Sequence, residues 1–180
     1  MRALEQIAAE RNYDAPLLRV VEAVNRRQVP RTLKKLRSAL GSLDGTTVAI
    51  LGLAFKPNTD DLRDAPAIVL INELRAAGVS IRAHEPIAMS GARNLFESGV
   101  TFHEKVYETM DGADALVLAT EWNEFKNLDF TKVAKKLRGS VVIDGRNVFD
   151  PVKVNNAGLD YYGVGCPKRI SRIAASANGR

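Results

Sequence analysis

A single cysteine, Cys166, stands in 180 residues, so no internal disulfide framework is available and the chain suits a reducing compartment. Histidine is equally scarce. His84 and His103 stand alone near strand ends, without the spacing of metal ligands or of a Ser-His-Asp or Cys-His site. No apolar run approaches the roughly 20 residues that a membrane span needs. The opening residues read as a polar helix rather than a signal peptide, so a soluble, cytoplasmic protein is expected. Above all, the sequence lacks the G-x-G-x-x-G turn with which a dinucleotide fold grips a pyrophosphate.

What is present is an ordinary globular composition, 46% hydrophobic, with a formal net charge of +5. The length suits one α/β domain with an added helical element. The mild basic excess favours anionic partners. Part of it lies in a tail over 167–180, with Lys168, Arg169, Arg172 and Arg180, read as a solvated, mobile end. Without the tail little supports a nucleic-acid surface, and none is expected. A phosphorylated small molecule remains.

The leading segment, 1–43, reads as helices. One covers 1–13; a second starts at Asp14 as N-cap with Pro16 in its first turn. Pro30 predicts a kink or break. Beyond it Val29, Leu33, Leu36, Leu40 and Leu43 step by four, three, four and three, drawing one apolar stripe down a helix. That stripe either packs on the same chain or meets a second subunit or another domain. Gly41 and the Asp44-Gly45 turn end it.

The pattern then changes to short, nearly continuous apolar runs at 47–51, 79–83, 115–119 and 141–143, with weaker ones at 100–102 and 159–162. Such runs fit strands buried on both faces. Helical stretches at 66–77, 88–98, 105–112 and 129–138 fill the gaps, the first with Asp64 as N-cap and Gly78 past its end. This alternation predicts an α/β fold: a Rossmann-like, doubly wound, mostly parallel sheet over 44–166, preceded by a long helical segment.

In such a sheet ligands bind outside the carboxyl ends of the strands, where strand order reverses. Three loops there carry chemistry. The first, Gly52-Leu53-Ala54-Phe55-Lys56-Pro57-Asn58-Thr59-Asp60-Asp61-Leu62-Arg63-Asp64, is far longer than the usual 2–6 residues of a βα connection. It offers Lys56 and Arg63 to an anion ahead of a helix N-terminus, unless both pair with Asp60, Asp61 and Asp64. The second, Thr120-Glu121-Trp122-Asn123-Glu124-Phe125, sets Trp122 and Phe125 either as an aromatic wall or as a cap on the core. The third, Asp144-Gly145-Arg146-Asn147, brings a further cation to the same edge, unless Arg146 pairs with Asp144 or Asp150. Glu85 ends the second strand, where a dinucleotide fold places its ribose-binding acid; without the glycine turn that signal is weak.

The run from Val48 to Pro66, with Thr120-Glu121-Trp122 and Asp144-Gly145-Arg146-Asn147 following in order, resembles the C-terminal domain of the UDP-glucose/GDP-mannose dehydrogenase family. Val24-Asn25 through Gln28 is similar to that family's central helix. The resemblance covers residues 2 to 166 and is most like the UDP-glucose 6-dehydrogenases. It implies NAD as cofactor, oxidation of the 6-hydroxymethyl of a nucleotide sugar in two NAD-dependent steps, and a homodimer through the helical segment. It implies that Phe55, Lys56 and Arg146 bind the UDP-sugar and that Arg63 reaches the NAD. The family's cysteine motif, Gly-Gly-Ser-Cys-Phe-Pro-Lys-Asp-like, does not occur in this sequence, and Cys166 sits at the wrong end to replace it. The resemblance therefore implies an N-terminal NAD domain as the missing partner, and a binding crevice that is inactive alone. GDP-mannose or another UDP-sugar is the alternative substrate, and a self-association module built on the 29–43 stripe is the alternative role.

Overall fold

The computed structural model describes residues 2–96 and 98–171. Its centre is a six-stranded sheet of β1 (Thr47–Leu51), β2 (Ser80–His84), β3 (Val100–Phe102), β4 (Ala115–Leu118), β5 (Val141–Asp144) and β6 (Asp160–Gly163). The spatial order is β3-β2-β1-β4-β5-β6, and every neighbouring pair is parallel. The doubly wound expectation is met, with order reversing between β1 and β4. The crevice at a sheet's switch point therefore opens above the carboxyl ends of those two strands.

The helices fall on both faces. One face carries α4 (Pro66–Ala76) and α5 (Met89–Leu95). The other carries α6 (Val106–Thr109), α7 (Asn123–Lys126), α8 (Phe130–Lys136) and α9 (Pro151–Asn156). Neither α7 nor α9 is evident as a helix in the sequence pattern; both are too short to show a period. Alternation along β1 feeds two cores. Val48 and Ile50 join Leu70, Ile71 and Leu74, whereas Ala49 and Leu51 join Phe125, Phe130 and Val133.

That winding leaves the first face of β5 short of cover, and the leading segment fills it. Its three helices are α1 (Arg2–Glu10), α2 (Pro16–Arg26) and α3 (Gln28–Leu40). On α3, Leu36 is fully buried and Leu33 nearly so, and Val29 and Leu40 pack against the same core. Burying a leucine side chain is worth roughly 1.5–3 kcal/mol, enough to dock a helix. Of the options open for the 29–43 stripe, packing on its own chain is the one observed, so a self-association module cannot be built on it. Leu43 lies past the helix end and is still buried, because Gly41 turns the chain back at φ +77°. Lys35 Nζ adds a hydrogen bond to the Gly163 carbonyl at the end of β6.

Local details differ from the sequence expectations at helix ends. The helix break falls at Arg27, not at Pro30. Proline has no N–H for the carbonyl four residues back, so the helix restarts early enough to leave Pro30 in its first turn, where no donor is needed. Neither Asp14 nor Asp64 caps a helix; the N-cap residues are Ala15 and Ala65. Asp14 instead pairs with Arg19 at 2.6 Å, and Asp64 takes a left-handed φ of +55°. The basic tail divides as well. Arg169 exchanges two backbone hydrogen bonds with Tyr161 and so closes the exposed edge of β6. Ser171 is buried, its N–H on Asp160 and its hydroxyl on the Asn155 carbonyl. Residues 172–180, with Arg172 and Arg180, lie outside the described residues.

Candidate functional site

The loop after β1 is built rigidly at its root. Gly52 leaves the strand at φ +84°, and a Cβ there would lie 2.6–2.8 Å from Thr120 atoms of the facing loop. Only glycine meets both demands, so the two loops touch backbone to backbone. The Thr120 hydroxyl donates to the Ala54 carbonyl at 2.6 Å. Glu85, just past the end of β2, is 1% exposed and reaches into the same loop. Its Oε2 accepts from the Leu53 N–H at 2.5 Å, the Ala54 N–H at 3.0 Å and the Trp122 indole N–H at 3.3 Å. Its Oε1 accepts from the Ile87 N–H at 3.3 Å.

This arrangement answers whether the domain can hold a dinucleotide as a Rossmann half does. It does not fit one there. The amides that would cradle a pyrophosphate are already taken by the Glu85 carboxylate, and the glycine turn is missing. Glu85 is thus a loop anchor rather than a ribose acid.

Past the root, the loop turns outward. Phe55 is 48% exposed and Lys56 is exposed beside it. The Phe55 N–H donates to the Asp61 carbonyl at 2.8 Å, folding the loop back on itself. Asp61 then holds Arg63 through two parallel hydrogen bonds of 2.9 Å, and the Arg63 side chain is otherwise 89% exposed. The Arg63 guanidinium keeps the Asp61 carboxyl ionised, lowering its pKa to about 2. Of the two readings open for this pair of cations, Arg63 does make the local ion pair. Asn58 and Asp64 both take positive φ here, a conformation their short polar side chains tolerate.

The third loop closes the crevice. Asp144 is fully buried and accepts from the Arg146 and Phe149 N–H groups and the Tyr161 hydroxyl. Burial, with that carboxylate beside it, pushes the Tyr161 phenol well above its ordinary pKa. The Arg146 side chain does not pair with Asp144 or Asp150. Its Nε donates to the Ala119 carbonyl at 2.7 Å, and its Nη2 reaches the Phe55 carbonyl at 3.4 Å. Glu121 Oε2 lies 3.0 Å from the same Nε but off the N–H direction, so it contributes charge rather than a second hydrogen bond. Asn147, at φ +55°, brackets Val164 by giving to its carbonyl and taking from its N–H.

The structure thus brings Phe55, Lys56 and Arg146 to one edge above β1 and β4, with Arg63 one turn further along the first loop. Trp122 and Phe125 do not form a wall. Both are buried, Phe125 lying edge-on to His84 at 5.8 Å, so they cap the core. His84 is tied to the His103 carbonyl and to Glu124. Cys166 is exposed beyond β6. Sequence reasoning missed Glu121 as the anion beside Arg146 and Thr120 as the partner of Gly52. A Thr-Glu pair at a strand's carboxyl end, opposite a Gly-Arg, is the available signal.

Residues 49–151 match the UDP-glucose/GDP-mannose dehydrogenase family, UDP binding domain. The chain belongs to the UDP-glucose/GDP-mannose dehydrogenase family. This bears out the resemblance carried by the long motif. A UDP-glucose 6-dehydrogenase of Pseudomonas aeruginosa is 42% identical over 98% of the chain. The chain spans about 40% of the length of that curated relative. A UDP-glucose dehydrogenase of Pyrobaculum islandicum has a similar structure, with TM-score 0.77 and 32% identity over 92% of this chain and 36% of that one. A UDP-D-ManNAc dehydrogenase of Pyrococcus horikoshii follows, with TM-score 0.72 and 28% identity over 88% of this chain and 35% of that one. Among the described residues of this family member, no helix is long and apolar enough to cross a membrane.

Proposed function

We propose that this chain binds the nucleoside diphosphate of a UDP-sugar, and that it forms the substrate-binding half of an NAD-dependent UDP-glucose 6-dehydrogenase that makes UDP-glucuronate. The observation that carries the reading is the Arg146 fork. It ties the loops after β1, β4 and β5 together and leaves a cation beside Phe55 and Lys56. Phe55 offers an aromatic face, and Lys56 and Arg146 offer charge to a diphosphate. NAD belongs on a separate N-terminal domain, since the root amides of the first loop are taken by Glu85 and the glycine turn of a dinucleotide site is missing. Arg63, projecting from the loop, is the residue that reaches toward it. Without the catalytic cysteine motif, the 180 residues alone are not expected to oxidise the sugar.

Calorimetry of the chain with UDP-glucose tests this directly, with GDP-mannose as the competing substrate. UDP-glucose is expected to bind more tightly, and Lys56→Ala to weaken it about tenfold, the loss of one charge-assisted phosphate contact. Unchanged binding in Lys56→Ala contradicts the site.

A homodimer through the helical segment is part of the same proposal. With α3 committed to its own core, the available surface moves to α1 and α2. Leu17, Val20 and Val24 lie on one face of α2 and are 44–73% exposed, and Leu4 and Ile7 of α1 are also open. Such a stripe exposes more apolar side chains than a lone surface helix needs. Sedimentation is expected to show self-association that the pair Leu17→Glu and Val20→Glu removes. A chain that stays monomeric at high concentration would remove the dimer from the proposal.

A further inference from the structure

Glu85, like Asp144, is a carboxylate taken out of solvent. A carboxylate at 1% exposure would normally sit against a cation. Its four partners are instead N–H groups: Leu53 and Ala54 in the first loop, Trp122 in the second and Ile87 on its own side. Three of those bonds converge on one oxygen, Oε2, as they would on a phosphate oxygen. The amides concerned are the first two after Gly52, at the place where a doubly wound fold ordinarily receives a pyrophosphate.

We propose that Glu85 is a positioning residue for UDP-sugar binding. Its carboxylate occupies the amide site that a phosphate would otherwise take, and so fixes the turn that carries Phe55 and Lys56 over the crevice. The diphosphate must then be met by side chains rather than loop amides. The carboxylate also couples the two loops, because the indole of Trp122 shares the oxygen that holds Leu53 and Ala54. Freed from that oxygen, the first loop keeps at its root the Gly52 N–H on the His84 carbonyl, the Thr120 hydroxyl on Ala54 and the close contact of Gly52 with Thr120, and the turn that carries Lys56 is held less firmly.

This inference rests on UDP binding as proposed above, and the experiment separates the two. UDP is titrated calorimetrically into the unaltered chain and into Glu85→Ala, Glu85→Gln and Glu85→Asp. Failure of the unaltered chain to bind UDP ends the binding proposal itself. Given binding, Glu85→Ala is expected to weaken it on the order of tenfold, since four donors lose their acceptor. Glu85→Gln can still place its amide oxygen at the Oε2 position and is expected to lose only about threefold. Glu85→Asp keeps the charge but falls short by one methylene, and is expected to bind more weakly than the glutamine variant. A Glu85→Ala chain that binds UDP as the unaltered chain does would overturn the proposal. Should that variant not fold, the other two decide: an aspartate variant binding more tightly than the glutamine variant would overturn it, because charge rather than acceptor geometry would then be what matters.

Discussion

Arg146→Ala is expected to cost UDP binding between ten- and a hundredfold. Hydrogen bonds from a charged donor are worth about 1.5–3 kcal/mol, and a half-buried guanidinium loses less of that to solvent than an exposed lysine. The substitution also has an indirect cost. Arg146 Nε holds the Ala119 carbonyl and Nη2 the Phe55 carbonyl, so the cation and its hold on the Phe55 backbone are lost together. Glu121 would then stand at the crevice without its counter-charge and would repel the diphosphate. Arg146→Lys discriminates between charge and fork. Lysine keeps the charge but cannot hold two carbonyls in one plane, so it is expected to recover only part of the affinity. Calorimetry with UDP measures both variants, and retention of binding within threefold in the alanine variant would remove Arg146 from the site.

The second large effect is on stability. Gly52→Ala is expected to destabilise the chain by about 2–5 kcal/mol. An alanine at φ +84° costs roughly 1–2 kcal/mol by itself. The added Cβ then meets Thr120 Cβ at 2.6 Å and its backbone N and O at 2.8 Å, and those atoms cannot swing aside. Overpacking of that kind costs typically 1–3 kcal/mol more. Against a total of about 5–15 kcal/mol, this is a large share. Gly112 supplies the control. It has φ +69° but open space around its Cβ position, so Gly112→Ala isolates the backbone term at about 1–2 kcal/mol. Urea unfolding of the two variants compares them, and equal losses would show that the loop contact at Thr120 does not matter.

The edge of the sheet that carries the candidate site was legible because its cations follow directly on strand ends. The unusual length of the first loop, its Lys and Arg, and the Gly-Arg after β5 marked the carboxyl edge before any contact was known. The positive φ of Asn58, Asp64 and Asn147 also follows from residue type, since Asn and Asp tolerate it best. What could not be read was which anion meets which cation. Arg63 found Asp61, two residues away, whereas Arg146 passed over Asp144 and reached Ala119 and Phe55 in other loops. Local spacing favours the first pairing, and only the approach of distant loops produces the second.

Residue order alone carried the alternation of strands and helices, the parallel doubly wound sheet, the family motif and the edge on which the candidate binding residues gather. These follow from periodicity and residue type, which act over a few neighbours. The tertiary structure alone decided where the Leu33–Leu36 stripe is buried, that Trp122 and Phe125 belong to the core, and that Glu85 turns inward to hold the first loop. The reason is the same in each case. An apolar face or a buried carboxylate must find a partner, but its partner lies across the sheet from a segment far away in the chain, and only the packed fold brings the two within contact.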